Sequence, residues 1–230
     1  MSSLPLTGIS SMATRLLLAD LAVAWSRRSG RELRFESVGG VDAARRVAAG
    51  EAFDLVVLAS EAIDRLQAAG HVVAGSRADL VRSAVAVAVR AGAPKPDIGS
   101  EAALRDTVLA ARGIGYSTGP SGTALLQLFE RWGLSEILRD RLRQASPGVA
   151  VGSMVAQGEV ELGFQQRSEL IALPGIDVIG AMPAGCDIVT VFSAGLCART
   201  AQIDAARALI AFLQSPDTAE LKRRHGMEPA

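Results

Sequence analysis

Four short segments of the sequence combine small residues with hydroxyl groups at points where a helical pattern begins. They are TGISSM (7–12), SVGG (37–40), LASE (58–61) and YSTGPSGT (116–123). The first amides of a helix lack an intrahelical acceptor and lie at the positive end of the helix dipole, so they attract anions. Further hydroxyl donors come from Ser10, Ser11, Ser60, Ser117, Thr118 and Ser121. The four segments together predict a site for a small anion that requires no lysine.

Each of these segments, taken alone, also fits a simpler role. Serine or threonine at a helix start caps the first turn and contributes about 1 kcal/mol without any ligand. The segment GIGYSTG begins like a dinucleotide-binding loop at Gly113 and Gly115, but Thr118 occupies the position of the third glycine. The lysine of a phosphate-binding P-loop is absent as well. A nucleotide is therefore excluded, and anion binding and helix capping remain.

Three side chains outside these helix starts are further candidates for ligand contact. Arg82 precedes a long strand pattern, where it either pairs with a carboxylate or oxyanion or stays solvated. Tyr116 is the only tyrosine, and its hydroxyl either reaches a ligand or accompanies a packed ring. Neighbouring strand residues point in opposite directions, so one of Gln165 and Gln166 faces the ligand while the other anchors the backbone. We assign the ligand-facing role to Gln165.

Charge and composition exclude several other functions. The chain has 230 residues with 24 basic and 24 acidic side chains, and this balance disfavours nucleic acid or an anionic membrane as the main partner. His71 and His225 lie far apart in the sequence, and the only cysteines are Cys186 and Cys197. These counts predict no metal site, no Ser-His-Asp triad and no disulfide framework. We expect no cofactor.

Short apolar runs alternate with amphipathic helical stretches along the whole chain, a pattern typical of a doubly wound parallel sheet. The pattern includes a helix over 134–144. Two longer strands, over 83–89 and within CDIVTVFSAGLCAR (186–199), bracket the middle of the sequence. We predict an α/β fold of two doubly wound lobes joined by two crossing strands. Lobe 1 takes residues 1–81 and 194–230, lobe 2 takes residues 82–193, and the ligand cleft lies between them, beyond the carboxyl ends of the strands.

The sequence has no apolar run of the roughly 20 residues that span a bilayer, so we expect no membrane insertion. MATRLLLADLAVAW, from Met12, resembles a short leader, but Asp20 interrupts it and its apolar residues recur at helical spacing. We interpret it as the first helix of the fold. We therefore expect a cytoplasmic protein, or a periplasmic one if the chain has been trimmed at its N-terminus, and an ABC permease as a partner only if the chain is exported.

Several of these segments, in this order, resemble a known family. The matching segments are ISSM, SVGGVDAARRVAAGEAFDLVVLAS, RSAVAVAVRAGAPKPDI, GYSTGPSGT, ELGFQQRSEL and VTVFSAG. The sequence is similar, from about Leu4 to its C-terminus, to the molybdate-binding-protein-like branch of the type 2 periplasmic substrate-binding proteins. That resemblance implies two α/β lobes and an oxyanion ligand. The ligand contacts that it implies are Ser10, Ser11, Gly39, Gly40, Ser121 and Gly122.

Three features resemble a subgroup of that branch similar to aconitate isomerase, which acts on an unsaturated tricarboxylate. They are the GPSGT turn, Arg82 and the FQQ segment (164–166). Two main functions follow as hypotheses: binding of a small oxyanion or polycarboxylate, or cofactor-independent isomerisation of a tricarboxylate. A cytoplasmic ligand sensor is a third. Isomerisation needs a general base. His71 follows the third helix, away from the expected site, whereas Glu61 and Tyr116 lie nearer to it.

Overall fold

The computed structural model describes residues 4–230 and confirms the predicted α/β fold class. The chain forms two compact units. The first unit comprises the described residues up to Arg82 together with Val191–Ala230, and the second comprises Ser83–Thr190. The chain passes from one unit to the other within two long strands, β4 (Ala78–Arg90) and β9 (Val189–Leu196).

Three parallel strands organise the first unit. They are β1 (Leu6–Ser11), β2 (Leu33–Val38) and β3 (Leu55–Ala59). β1 lies between β2 and β3, and β9 pairs antiparallel with the other side of β3. All five residues of β3 are buried because helices cover both faces of the sheet. Its alternate residues accordingly belong to two separate apolar clusters.

The helices of the first unit follow its strands. They are α1 (Arg15–Ser29), α2 (Gly40–Ala48), α3 (Ser60–Ala68), α9 (Ile203–Gln214) and α10 (Ala219–Arg224). α1 and α9 pack on one face through side chains such as Leu17, Leu21 and Leu209. α2 and α3 pack on the other face through Val47 and Ile63. In both helix pairs the buried residues recur at the spacing of one helical face.

The second unit has a sheet of mixed strand direction. Its strands besides β4 are β5 (Ile114–Tyr116), β6 (Leu142–Gln144), β7 (Leu162–Gln166) and β8 (Ile176–Ala181). β4 pairs antiparallel with β7 and with β8, while β5 runs parallel to both β6 and β7. This order brings the end of β5 beside the end of β7, with Tyr116 opposite Phe164.

Five helices belong to the second unit. They are α4 (Glu101–Ala110), α5 (Pro120–Arg131), α6 (Ser135–Leu138), α7 (Val151–Gln157) and α8 (Arg167–Leu170). α4 and α5 cover one face of the sheet through Leu104, Leu125 and Phe129. Phe129 meets Phe164 of β7 edge to face, with ring centroids 6.1 Å apart. This contact packs the C-terminal part of α5 against β7.

The predicted helix over 134–144 is wrong. The structure has a four-residue helix there, then a 3₁₀ turn (Arg139–Arg141), then strand β6. The apolar spacing that suggested a longer helix belongs to Leu134 and Leu138, which are buried against the core. Beyond them, parallel pairing with β5 satisfies the backbone and overrides the helical propensity of the sequence.

A short strand at the end of the chain was not predicted from the sequence. Glu228–Pro229 form the short strand β10, which pairs antiparallel with the start of β4 and places Glu228 opposite Arg82. Between residues 4 and 230, no helix combines the length and apolar character that crossing a membrane requires.

Candidate functional site

The first unit brings two of its hydroxyl-rich segments together at the ends of β1 and β2. Ser10 is fully buried, and its Oγ lies 2.8 Å from Oγ of Ser37 on the neighbouring strand. Register pairing explains this contact, because Ser10 stands opposite Ser37 in the parallel ladder. The position of Ser37 in the SVGG turn was visible in the sequence, but its partner was not.

Ser11 ends β1 and occupies the N-cap position of the 3₁₀ turn (Met12–Thr14) that leads into α1, without a side-chain capping bond. It is 8% exposed, and its Oγ has no hydrogen-bond partner among the described residues. Its carbonyl, by contrast, accepts a hydrogen bond from Thr14 Oγ1. An unpaired buried hydroxyl costs about 1–3 kcal/mol, and none of the described residues satisfies this one.

Two more helix starts of the first unit carry the predicted residues. Gly39 precedes α2 and Gly40 begins it, without any side-chain cap. Gly40 lies near Ser11: a Cβ added to this glycine would stand 3.6 Å from the Ser11 Cβ. Ser60 is the half-buried first residue of α3, which also lacks a side-chain cap. The first amides of α2 and α3 therefore have no side-chain acceptor.

Arg82 is exposed and forms no ion pair with any residue of the described chain. It lies on β4 at the edge of the first unit, opposite Glu228, whose carboxylate pairs with Arg223 at 3.4 Å. An exposed guanidinium without an ion-pair partner offers a planar set of hydrogen-bond donors to a carboxylate.

In the second unit, the opening turn of α5 is held by a pair of hydroxyls. Ser117 Oγ and Ser121 Oγ lie 3.0 Å apart. Gly119 is the N-cap and Pro120 the first helical residue, and no acidic side chain lies in the first turn. Ser121 is 7% exposed. The turn therefore keeps its positive helix end and its hydroxyls free of any carboxylate of the helix itself.

Gly122 determines how closely this turn folds back on the helix. A Cβ added there would stand 1.9 Å from the backbone oxygen of Ser117, a separation that no side chain tolerates. Tyr116, just before the turn, is half-buried and packs with the core of the second unit. The structure thus gives Gly122 a steric role in addition to the contact that the family resemblance implies.

Both polar ends of the Gln165 side chain are engaged within the second unit. Its Oε1 accepts a hydrogen bond from the Val151 amide at 2.7 Å, and its Nε2 donates to Glu169 at 2.8 Å. Gln165 is thus the glutamine that anchors the backbone, at the start of α7. Its predicted contact with a ligand stays a prediction.

Unlike Gln165, Gln166 has a hydrogen-bond partner for only one end of its side-chain amide. Its Nε2 donates to Thr190 Oγ1 at 2.8 Å, while its Oε1 is buried without a partner. Rotating the amide by 180° would pair the oxygen with Thr190 and leave the nitrogen unpaired, so one polar atom requires an external partner in either orientation. Ser168, two residues on, is 6% exposed and also has an unpartnered Oγ.

Ser83 is another buried residue of the second unit whose hydroxyl has no partner among the described residues. The glutamine pair was recognisable in the sequence, but Ser83 and Ser168 were not predicted, because a serine within a strand or a short helix carries no distinctive local pattern. Their position beside predicted residues was the one feature of the sequence that could have indicated them. Ser83 directly follows Arg82, and Ser168 lies two residues after Gln166.

The described chain has no group of three or more His, Cys, Asp or Glu side chains arranged to hold a metal ion. Both cysteines are buried and free. Burial, followed by the nearby Asp54 carboxylate, raises the pKa of the Cys197 thiol to about 12. The free thiol therefore stays protonated at neutral pH, which makes it a poor nucleophile.

The fold and the hydroxyl-rich helix starts define a periplasmic-binding-protein architecture of type 2. The periplasmic molybdate-binding protein of Azotobacter vinelandii shares the fold at a TM-score of 0.79 and 22% identity, over 96% of this chain and 98% of that one. The sulfate-binding protein SubI of Mycobacterium tuberculosis shares it at 0.79 and 19%, over 99% of this chain and 88% of that one.

The family model described as bacterial extracellular solute-binding protein matches residues 6–228, and the chain belongs to this family. Among curated relatives, an aconitate isomerase from Pseudomonas sp is 37% identical over an alignment of 230 residues. The alignment covers 97% of this chain and 87% of the relative. The predicted resemblance, both to the family and to its aconitate-isomerase-like subgroup, is thereby confirmed.

Proposed function

We propose that this solute-binding protein takes a small polycarboxylate anion as its ligand, bound by hydroxyls and helix starts. One observation carries the proposal: buried polar atoms without partners occur at the segments that the sequence marked for anion binding. Ser11 in the first unit and Gln166 in the second are the clearest cases. Folded proteins pair nearly all buried polar groups, so these atoms support a ligand contact where they coincide with a predicted segment, whereas Trp25 Nε1 and Gln67 Oε1 are unpartnered away from any such segment.

Arg82 offers a bidentate contact to an anionic ligand, whether that ligand is a carboxylate or an oxyanion. Its exposed guanidinium has no acidic partner within the described chain and suits bidentate binding of a carboxylate. The 37% identical relative named aconitate isomerase supports a tricarboxylate. Molybdate and sulfate are the ligands named for two structural neighbours of lower identity, and they form the second ligand class to test.

A panel of anions tests the ligand. The protein is heated in the presence of cis-aconitate, trans-aconitate, citrate, molybdate, tungstate or sulfate, each in excess. A ligand at 100 times its dissociation constant adds about 2.7 kcal/mol to the free energy of unfolding, which is easily seen as a raised melting temperature. Stabilisation by aconitate but not by the tetrahedral anions supports the proposal. Stabilisation by none of them overturns it.

A second candidate function is isomerisation of the bound tricarboxylate, favoured by the same relative. In that reaction a base removes a proton from the methylene carbon of aconitate and returns a proton to the far carbon of the allylic system, so the double bond shifts. Glu61, in the first turn of α3, and Tyr116 are the candidate bases. No cofactor enters this chemistry.

Nuclear magnetic resonance in D₂O separates binding from catalysis. Aconitate incubated with the protein exchanges carbon-bound hydrogen for deuterium and changes between its cis and trans forms if the protein is an isomerase. Glu61→Gln and Tyr116→Phe then identify the base, because only the variant that lacks it loses exchange while retaining the thermal shift. Unchanged spectra with a clear thermal shift leave binding as the function.

A further inference from the structure

Strand β2 leaves an open edge on the sheet of the first unit. It pairs with β1 along its whole length in unbroken parallel register, from Leu33 opposite Leu6 to Val38 opposite Ser11. No strand formed by residues 4–230 covers its other side. β2 contains no proline and its register has no bulge, so two of the usual devices that block an edge strand are missing. This edge can accept another strand.

A groove of about 630 Å³ runs beside this edge, between β2 and α1. Its helical wall is a stripe of small and apolar side chains that includes Ala19, Ala22 and Val23, and β2 contributes Leu33 and Phe35. Val23 is 51% exposed, an unusual state for valine in the middle of a helix with a packed opposite face. The groove therefore presents apolar surface directly alongside unpaired strand backbone.

Two arginines with no ionic partner line the same groove. They are Arg15 and Arg27, and neither forms an ion pair with any residue in the described part of the chain. Their neighbours differ: Arg28 pairs with Asp217, and Arg34 pairs with Glu32. Twelve helical residues separate Arg15 from Arg27, which corresponds to about 18 Å along the axis. The groove thus has a positive charge near each end and an apolar middle.

We propose that this groove binds an extended segment of a partner protein, which adds as a strand to the edge of β2 and carries acidic side chains at both ends. A strand rises about 3.3 Å per residue and directs every second side chain to one face. Acidic residues six positions apart on one face are therefore about 20 Å apart, close to the spacing of the two arginines. The side chains at the third and fifth positions of the added strand would then contact Val23 and the alanines. The expected ligand is therefore a strand whose alternate residues are acidic, apolar, apolar and acidic.

Charge argues against a second copy of this chain as the occupant. Two β2 strands paired about a two-fold axis would run their α1 helices antiparallel. Arg15 begins α1 and Arg27 lies in its last turn, so in such a pair each arginine of one copy would lie toward the other arginine of its partner. Like charges at such close range repel each other. A separate acidic segment has the complementary charge.

A labelled peptide provides the direct test. The probe is the capped heptapeptide Glu-Thr-Val-Thr-Val-Thr-Glu with a fluorescent label, titrated with the full chain and followed by anisotropy. We expect saturable binding that the double variant Arg15→Ala/Arg27→Ala weakens about five-fold, from two surface ion pairs. Val23→Glu places a carboxylate on the apolar stripe and abolishes binding. Arg207→Ala, which removes an exposed arginine of α9 in the same unit, leaves the affinity unchanged.

Two control peptides isolate the strand pairing and the charges. A version N-methylated at alternate residues cannot donate to β2 and should not bind, and a version with lysine at both ends should bind at least about five-fold more weakly. The proposal is overturned if the probe shows no saturable binding up to about 1 mM, or if Val23→Glu or N-methylation leaves binding intact. A dimer in light scattering that Val23→Glu dissociates would also overturn it, in favour of a second copy. Anion-induced thermal shifts of Val23→Glu, measured alongside, keep this result separate from the proposed function.

Discussion

The backbone oxygen of Ser117 lies so close to Gly122 that a Cβ added to this glycine would stand 1.9 Å away. The turn before α5 and the first turn of the helix therefore touch at a point where only glycine fits. The hydroxyl pair of Ser117 and Ser121 lies beside that contact. The shape of the second unit's candidate site thus depends on a residue without a side chain.

Gly122→Ala should separate the turn from the helix. We expect a loss of about 1–3 kcal/mol in the free energy of unfolding, measured by urea denaturation, together with weaker anion binding. Gly119→Ala is the matched control in the same turn, because an added Cβ there meets nothing within 4 Å. Equal behaviour of the two variants would show that the close contact is unimportant.

Ser11→Ala should lower the affinity for the anion without lowering the free energy of unfolding. Its Oγ has no partner in the folded chain, so removing it loses no hydrogen bond and leaves the free energy of unfolding unchanged or up to about 1 kcal/mol higher. Anion affinity should nevertheless fall. Thr218→Ala is the control: its hydroxyl bonds the carbonyls of Leu213 and Ser215, so that variant should lose stability and keep its affinity. A clear loss of stability in Ser11→Ala would contradict the ligand role.

Asp54 ties the C-terminal segment to the first sheet. Its carboxylate accepts hydrogen bonds from the Thr7 amide, Thr200 Oγ1 and Gln202 Nε2. Asp54→Ala should lower the free energy of unfolding by about 3 kcal/mol or more, because it leaves several part-buried donors unpaired. Thermal and urea unfolding measure the loss. A change below about 1 kcal/mol would show that water replaces these bonds without cost.

Cys197 should make stability fall at alkaline pH. Its folded pKa of about 12 lies well above that of a thiol in the unfolded chain. Below the pKa of the unfolded thiol, near 8.5, Cys197 is protonated in both states and its contribution to the free energy of unfolding is complete. As the pH rises from there toward 12, the thiol ionises more readily in the unfolded chain, so this contribution is lost. Cys197→Ala should flatten this part of the pH profile. The native thiol should also resist alkylation at pH 8 and react only after denaturation, and fast labelling of the native protein would contradict its burial.

Much of the fold follows from local sequence, and the exceptions have physical causes. The buried run of β3 and the glycine-led start of α2 are visible as hydrophobic pattern and turn chemistry. Strand β6 was missed because its pairing with β5 is a tertiary contact that overrides a helical pattern. β10 was missed because Glu228 and Pro229 have no strand propensity and pair only because β4 is beside them.

The candidate site was predicted in part. Helix starts and hydroxyls are local features, so Ser11 and Ser121 could be selected from sequence. The difference between Gln165 and Gln166 could not, because it depends on which amide meets Val151 and which is left unpaired after folding. Ser83 and Ser168 likewise become distinctive only once their burial and lack of partners are known.

Calorimetric titration of the protein with trans-aconitate tests the central claim most directly. We expect one molecule of ligand bound per chain, with an affinity that Ser11→Ala and Ser121→Ala each reduce about tenfold or more, as expected for lost hydrogen bonds to a charged group. Absence of binding heat with every tricarboxylate, or an affinity that neither substitution changes, would contradict the account.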